Sequence, residues 1–344
     1  MAGVSGGLLA ARVCQAGGLG MIAAGHFQDV SKLEKEIKIF QEEMNDMSKF
    51  TTEDRKSQLQ QQSSDLSIGF IGFSSLSTPN GWKDYEYILK HHRPKAVQFF
   101  APSIILQQSN DGRSNVQLAH EYNTQFIAQV GSMSEAKEAI RHKVDAIICQ
   151  GSEAGGHGLR RELGSSTMAL VSQVSKMTTI PVLAAGGIVN GKHLASALCV
   201  CDGASIGTRF WASNESIGNP KLQQELIKDN SCDDFIRTTV FDQIQNELSS
   251  IAWPHPYHSV GALRNQTSSE WEGKTAQELQ TAIDKTDLLD EYKSAQKTSD
   301  PRVVCILSGE GVGEMDHIEG AYDVTLRIEE EAIDCINRLQ SFCS

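Results

Sequence analysis

The sequence predicts an α/β chain, a parallel sheet whose strands alternate with helices. Two observations carry this. From residue 19 to residue 207 short apolar runs alternate with amphipathic stretches of about ten residues, the pattern of βαβ units. Glycine clusters follow the C-terminal ends of the later runs, where folds of this kind place their binding loops.

The elements follow in order. Residues 19–24 read as a strand. Val30, Leu33, Ile37, Phe40, Met44 and Met47 recur at steps of three and four, which is one face of a helix. Residues 48–65 are polar and Gln-rich, an exposed extension of that helix or a loop. Strands at 67–73, 96–100, 125–130, 145–150, 180–185 and 204–207 then alternate with helices at 82–92, 115–122, 134–142, 167–177 and 191–201. Ser134 reads as the N-cap of the 134–142 helix, with Glu135 in its first turn. Seven strands, repeating about every 25 to 35 residues, favour a (β/α)8 barrel over a two-domain nucleotide-binding chain. Of the eight strands the first is read as truncated, since only residues 1–3 or a segment before Met1 could supply it.

Beyond residue 216 the pattern weakens. Residues 220–228, 233–236, 275–295 and 326–342 read as helical, and the aromatic, His-rich stretch 253–266 reads as a loop. The chain divides into a barrel core, 1–216, and a mainly helical C-terminal elaboration, 217–344, packed on it.

The 344 residues carry 31 Lys and Arg against 43 Asp and Glu, a formal net charge of −12. An acidic chain without a basic block is unsuited to nonspecific nucleic-acid binding. Its apolar runs are too short for a membrane span. Residues 1–25 hold one basic residue, Arg12, and no clean apolar core, so they read as folded structure and not as a signal peptide. The eight cysteines form no CxxC pair and sit mostly in apolar stretches. They read as small, reduced core residues of a cytoplasmic protein. No His, Cys or carboxylate group shows metal-ligand spacing.

The glycines locate the chemistry. Gly151, Gly155, Gly156 and Gly158 follow one strand, Gly186 and Gly187 the next, and Gly207 the last. Ala184-Ala-Gly-Gly-Ile188 and Ser205-Ile-Gly-Thr-Arg209 lie on consecutive strands and can bring backbone N–H groups onto one phosphate; tight turns alone are the other reading. A Gly309–Gly313 run after residues 303–307 lacks the sixth-position glycine of a dinucleotide loop. His157 lies between glycines, where no sequence neighbour holds it in a core. That suits it to proton transfer or to orienting an anion. His255 and His258 flank Pro256 in the 253–266 stretch, a possible lid over a substrate. His91 and His92 end a helix, where they complement its dipole.

Met1-Ala-Gly-Val-Ser-Gly-Gly7, Ala16-Gly-Gly-Leu-Gly20, Gln150-Gly-Ser-Glu-Ala-Gly-Gly-His157, Ala184-Ala-Gly-Gly-Ile188 and Gly207-Thr-Arg-Phe210 occur in this order. Together they resemble the nitronate monooxygenases, formerly called 2-nitropropane dioxygenases, over about residues 1 to 216, with a weaker echo at 309–313. The resemblance implies an FMN-dependent (β/α)8 barrel. Met1, Ala2 and Gly3 would line the flavin ring. Gln150 and Gly155 would contact the ring or its ribityl chain. Gly186 and Gly187 would hold the phosphate with Gly207 and Thr208, and His157 matches the active-site histidine. It implies oxidation of alkyl nitronates by O2, through a flavin semiquinone, to carbonyl compounds and nitrite, in a monomer or homodimer. Ile68-Gly-Phe-Ile-Gly-Phe-Ser74 stands where bacterial members often carry an Asn, so that flavin contact does not transfer; the stretch is closer to fungal-type relatives. FMN-dependent NAD(P)H enoyl-thioester reductases share much of the motif set. A non-catalytic, degenerate barrel is the reading from another class. A dehydrogenase acting on inosine monophosphate fails for want of a loop cysteine, since Cys149 lies within a strand.

Overall fold

A computed structural model describes residues 3–25, 30–46, 66–71, 75–100, 105–106, 112–249 and 252–342. Seven parallel strands form its frame, hydrogen-bonded in chain order: β1 (Met21–Ala23), β2 (Ser67–Ile71), β3 (Ala96–Phe100), β4 (Gln125–Val130), β5 (Ala146–Gln150), then, after the short β6 (Gly156–His157), β7 (Val182–Ala185) and β8 (Gly203–Ser205). Each lies within two residues of its predicted place. The helices between and around them are α1 (Gly7–Gln15), α2 (Val30–Asn45), α3 (Gly81–His92), α4 (Asn115–Glu121), α5 (Met133–Arg141), α6 (Thr167–Ser175), α7 (Gly191–Leu198) and α8 (Thr208–Trp211). The sequence pattern gave no sign of α1.

Side chains alternate across each strand with a period of two. On β3, Val97 and Phe99 point out to the helices, whereas Ala96, Gln98 and Phe100 line a cavity. The outward face is an aromatic ladder. Phe70 and Phe99 stack at 5.1 Å, Phe99 and Phe126 at 5.1 Å, and Tyr85 of α3 meets Phe70 and Phe99 edge-on at 5.5 and 5.4 Å. Pairs of this kind contribute about 0.5–1.5 kcal/mol each beyond their burial. The Tyr85 hydroxyl, fully buried, donates to the Asn115 carbonyl at 3.0 Å. On α2, Leu33, Ile37, Phe40 and Met44 are buried as their spacing requires; Met47 lies outside the described residues.

β1 and β8 stand at the two ends of the strand order, and among the described residues no strand joins them. The sheet is thus shown as seven parallel strands. At the seam, the Ser5 carbonyl accepts from Ala23 N at 3.0 Å, the Ser5 hydroxyl donates to the Met21 carbonyl at 2.6 Å, and the Val4 carbonyl accepts from Ile217 N at 3.0 Å. Leu9 and Val13 of α1, Phe210 of α8 and Ile328 from the C-terminal helix pack together beside it.

Three expectations are corrected. The N-cap of α5 is Ser132, not Ser134: Ser132 has extended backbone, and its hydroxyl accepts from Glu135 N at 3.3 Å. Two serines precede the same run, and only the one three residues before Glu135 can reach that N–H. Residues 233–236 are not helical beyond the turn Cys232–Asp234, which runs into β9 (Phe235–Thr238). The 253–266 stretch is not all loop, because it contains β10 (Val260–Leu263). With β6 these form a three-stranded antiparallel sheet, order β6-β10-β9, in which Val260 pairs with both His157 and Thr238. Four-residue strands paired across a long separation leave little periodic signal. The remaining helices are α9 (Pro220–Gln223), α10 (Val240–Asn246), α11 (Gln266–Trp271), α12 (Ala276–Lys285), α13 (Leu288–Thr298) and α14 (Ala321–Gln340). The seven described cysteines are free, and among the described residues no helix is long and apolar enough to cross a membrane.

Candidate active site

The inward side chains of the sheet enclose a cavity of about 1560 Å³. Its walls carry Met21, Gln98, Ile127, Ile148 and Leu183 from the strands; its C-terminal rim carries Gln150, Gly155, Gly156, His157, Asp242 and Trp253. Gln98 and Gln129 share a 2.6 Å hydrogen bond on the wall.

His157 is held from four sides. Its carbonyl accepts from Gln150 Nε2 at 2.8 Å, and its backbone pairs with Val260 of β10. Its ring Nε2 lies 2.7 Å from Asp242 Oδ1, and the indole of Trp253 stacks on the ring at 3.8 Å and 9°. Asp242 is 4% exposed, and its second oxygen has no hydrogen-bond partner among the described residues. With Nε2–H donated to a carboxylate, the other ring nitrogen, Nδ1, is the one left for a substrate.

The loop beneath His157 is pinned by Arg237 of β9. Its guanidinium donates to the Ser152 carbonyl at 3.0 Å, to the Ser259 carbonyl at 3.4 Å and to the Ala154 carbonyl. Burial lowers the Arg237 pKa to about 10, so it stays a cation at neutral pH. Glu153 turns the other way and accepts from Thr167 N at 2.7 Å, at the start of α6.

The glycine loops converge. A Cβ on Gly155 would lie 2.6 Å from the Ser308 backbone carbon and 2.7 Å from Gly309 N, so only glycine lets these strands of chain meet. Glu310 N donates to the Glu153 carbonyl at 2.9 Å, and Gly309 N donates to Thr208 Oγ1 at 2.9 Å. The Gly309–Gly313 run therefore braces the 151–158 loop against the start of α8. Gly186 and Gly187 hold φ of +127° and +71°, open to glycine at little cost. Gly207 is the N-cap of α8, whose first-turn amides have no partner within the helix.

Of the residues singled out in the sequence, Gln150, Gly155 and His157 line the cavity. Gly186, Gly187 and Gly207, on the loops after β7 and β8, and Thr208, which opens α8, do not line it. Gly3 is exposed, with φ +73°, and is not part of the cavity wall; Met1 and Ala2 lie outside the described residues. Trp253 and Tyr257 come from the expected lid stretch, and Tyr257 packs edge-on against Phe100 at 5.8 Å. Sequence reasoning missed Asp242, Arg237 and the role of Trp253. On α10 the cavity-lining Asp242, Gln245 and Asn246 follow helical spacing, but such a stripe reads the same whether it faces solvent or a site.

The chain is similar to known proteins in sequence and in fold. A nitronate monooxygenase family model matches residues 1–250. The nitronate monooxygenase npaC of Metarhizium robertsii is 38% identical over 173 residues, 48% of this chain and 47% of that protein. That match spans about half of the relative's length. The nitronate monooxygenase of Neurospora crassa is 25% identical over 356 residues, 99% of this chain and 89% of that one. Among solved structures, FabK from Thermotoga maritima superposes with a TM-score of 0.71 at 25% identity, covering 99% of this chain and 93% of that one. Nitroalkane oxidase from Streptomyces ansochromogenes superposes with a TM-score of 0.71 at 20% identity, over 98% and 94%, a likeness of fold.

Proposed function

We propose a function from one premise: the chain belongs to the nitronate monooxygenase family. It oxidises alkyl nitronates with O2 to carbonyl compounds and nitrite. The observation that carries this reading is His157, clamped at the rim of a large cavity at the C-terminal ends of the strands.

The residues present fit FMN. The buried Gln150 Oε1 has no partner among the described residues and suits an N–H of a flavin ring. Gly155 lines the same side of the cavity. The four amides of Gly186, Gly187, Gly207 and Thr208 suit its phosphate. FMN, when bound, supplies the electron transfer to O2. The protein does the rest. His157 takes the α-proton of a neutral nitroalkane on Nδ1 or, once protonated there, orients the nitronate anion. Trp253 and Tyr257 cover the rim and limit water.

On this reading the seven strands belong to a (β/α)8 barrel whose eighth position lies between β8 and β1. Residues 1–216 are the flavin-binding core. Residues 217–344 pack on it and complete the site with Arg237, Asp242 and Trp253. We place the protein in the cytoplasm, as a monomer or homodimer.

The test is nitrite release from a preformed nitronate by FMN-supplemented protein in air. With a neutral nitroalkane as substrate instead, His157→Asn should lower turnover about 10²- to 10⁴-fold with FMN still bound. Unchanged turnover removes His157 from the reaction. Absence of nitrite, with rapid flavin reduction by NADH, replaces this reading with the enoyl-thioester reductase.

A further inference from the structure

We propose that Asp242 is the positioning residue of the reaction: by taking the Nε2–H of His157 it fixes the tautomer in which bare Nδ1 faces the substrate as the base. The proposal rests on the nitronate reading above.

The geometry is specific to this pair. Three things hold the imidazole, and each removes one freedom. The Gln150 amide and β10 fix the backbone of His157. The Trp253 indole, nearly parallel at 9°, fixes the plane of the ring. Neither chooses which nitrogen carries the proton, because a stacked ring can turn over in its own slot. Only the 2.7 Å contact with Asp242 makes that choice, since a carboxylate accepts and cannot donate.

Among the described residues the Asp242 carboxyl makes one hydrogen bond, that to His157, although His258 also lies within its electrostatic reach. Asp242 reaches His157 from α10, 85 residues away in sequence, and lies against the core formed by Val240, Phe241 and Ile244. Tyr292 and Cys305 face it from the far side. Burial pushes the Tyr292 hydroxyl to about 12 and the Cys305 thiol up, so both stay neutral. Other carboxylates on the cavity wall, Asp145 and Glu329, make no contact with His157. Arg237 is the nearby cation, and its donors are spent on loop carbonyls.

The consequence is a split between substrates. A neutral nitroalkane needs a base, and a preformed nitronate does not. Asp242→Asn keeps the shape but lets its amide N–H face Nε2, which moves the ring proton to Nδ1 and blocks the base. Turnover of neutral nitroalkane should then fall about 10- to 100-fold, as when the orienting partner of a working histidine is lost. Turnover of preformed nitronate should change less than about threefold. An equal fall for both substrates makes Asp242 structural and overturns the proposal.

A second measurement needs no variant and no turnover. Imidazole ¹⁵N shifts of His157 in the full-length protein, taken where the ring is neutral, should show the proton on Nε2. Proton on Nδ1 overturns the positioning whatever the activity. Proton on Nε2 in a protein that releases no nitrite leaves the positioning standing and overturns the nitronate reading.

Discussion

The two faces of β3 are built from the same five residues and do opposite work. Outward, Phe99 sits between Phe70 and Phe126, wholly buried, in the densest aromatic contact of the described core. Inward, one residue away, Gln98 bonds Gln129 on the wall of a cavity of about 1560 Å³. Strand periodicity alone separates them. The outward row is an aromatic core, while the inward row, also buried, sets a polar pair among apolar neighbours on the cavity wall.

Substitution at neighbouring positions breaks or sharpens that contrast. Phe99→Ala should cost about 3–5 kcal/mol in denaturant unfolding, the range for a large aromatic removed from a tight core. Gln98→Leu, next to it, should cost about 1 kcal/mol, the loss of its one hydrogen bond to Gln129 with the side-chain volume nearly kept. Equal losses at the two positions would contradict the contrast.

Gly155→Ala comes next in size. The added methyl meets the Ser308–Gly309 backbone and must push the braced loops apart. A loss of about 1–3 kcal/mol is expected, with weaker FMN retention on gel filtration. Full retention of both stability and FMN would mean that the 308–310 brace is not needed.

The smallest effect depends on pH. Glu135, at the start of α5, accepts from Gly131 N at 2.7 Å, yet burial raises its pKa above the ordinary carboxylate value. A carboxyl raised on folding favours the folded state while protonated and works against it once ionised. Glu135→Gln, which still accepts from Gly131, should therefore be more stable than the parent at neutral pH by less than about 1 kcal/mol. The advantage should disappear as the pH falls below the carboxylate range. Thermal unfolding at both pH values reads this directly, and an advantage that persists in acid would contradict it.

The frame of this protein was legible because its signals are local. The runs at 96–100 and 125–130 became strands at those same bounds, and the 30–44 spacing became the buried face of α2. His157 and the glycines around it were legible because an imidazole between glycines at a strand end has no core to fill, and Gln150 was legible through the family resemblance alone. What escaped was set by distance along the chain. Asp242 meets His157 across 85 residues, and Arg237 reaches Ser152 across 85 and Ala154 across 83. Neither side chain differs in sequence from a solvated one. β9 and β10 were missed for the same reason: each exists because of the other and of β6. The Gly309–Gly313 run was visible, but its role as a brace depends on where Thr208 and Glu153 lie.

The central claim, a flavin site that takes electrons from nitronates, is tested most directly by an anaerobic visible spectrum. The FMN-loaded protein is recorded before and after addition of an alkyl nitronate, and then of NADH. The account predicts that nitronate bleaches the flavin and that NADH does so slowly or not at all. A bound flavin that ignores nitronate and is bleached by NADH would contradict it.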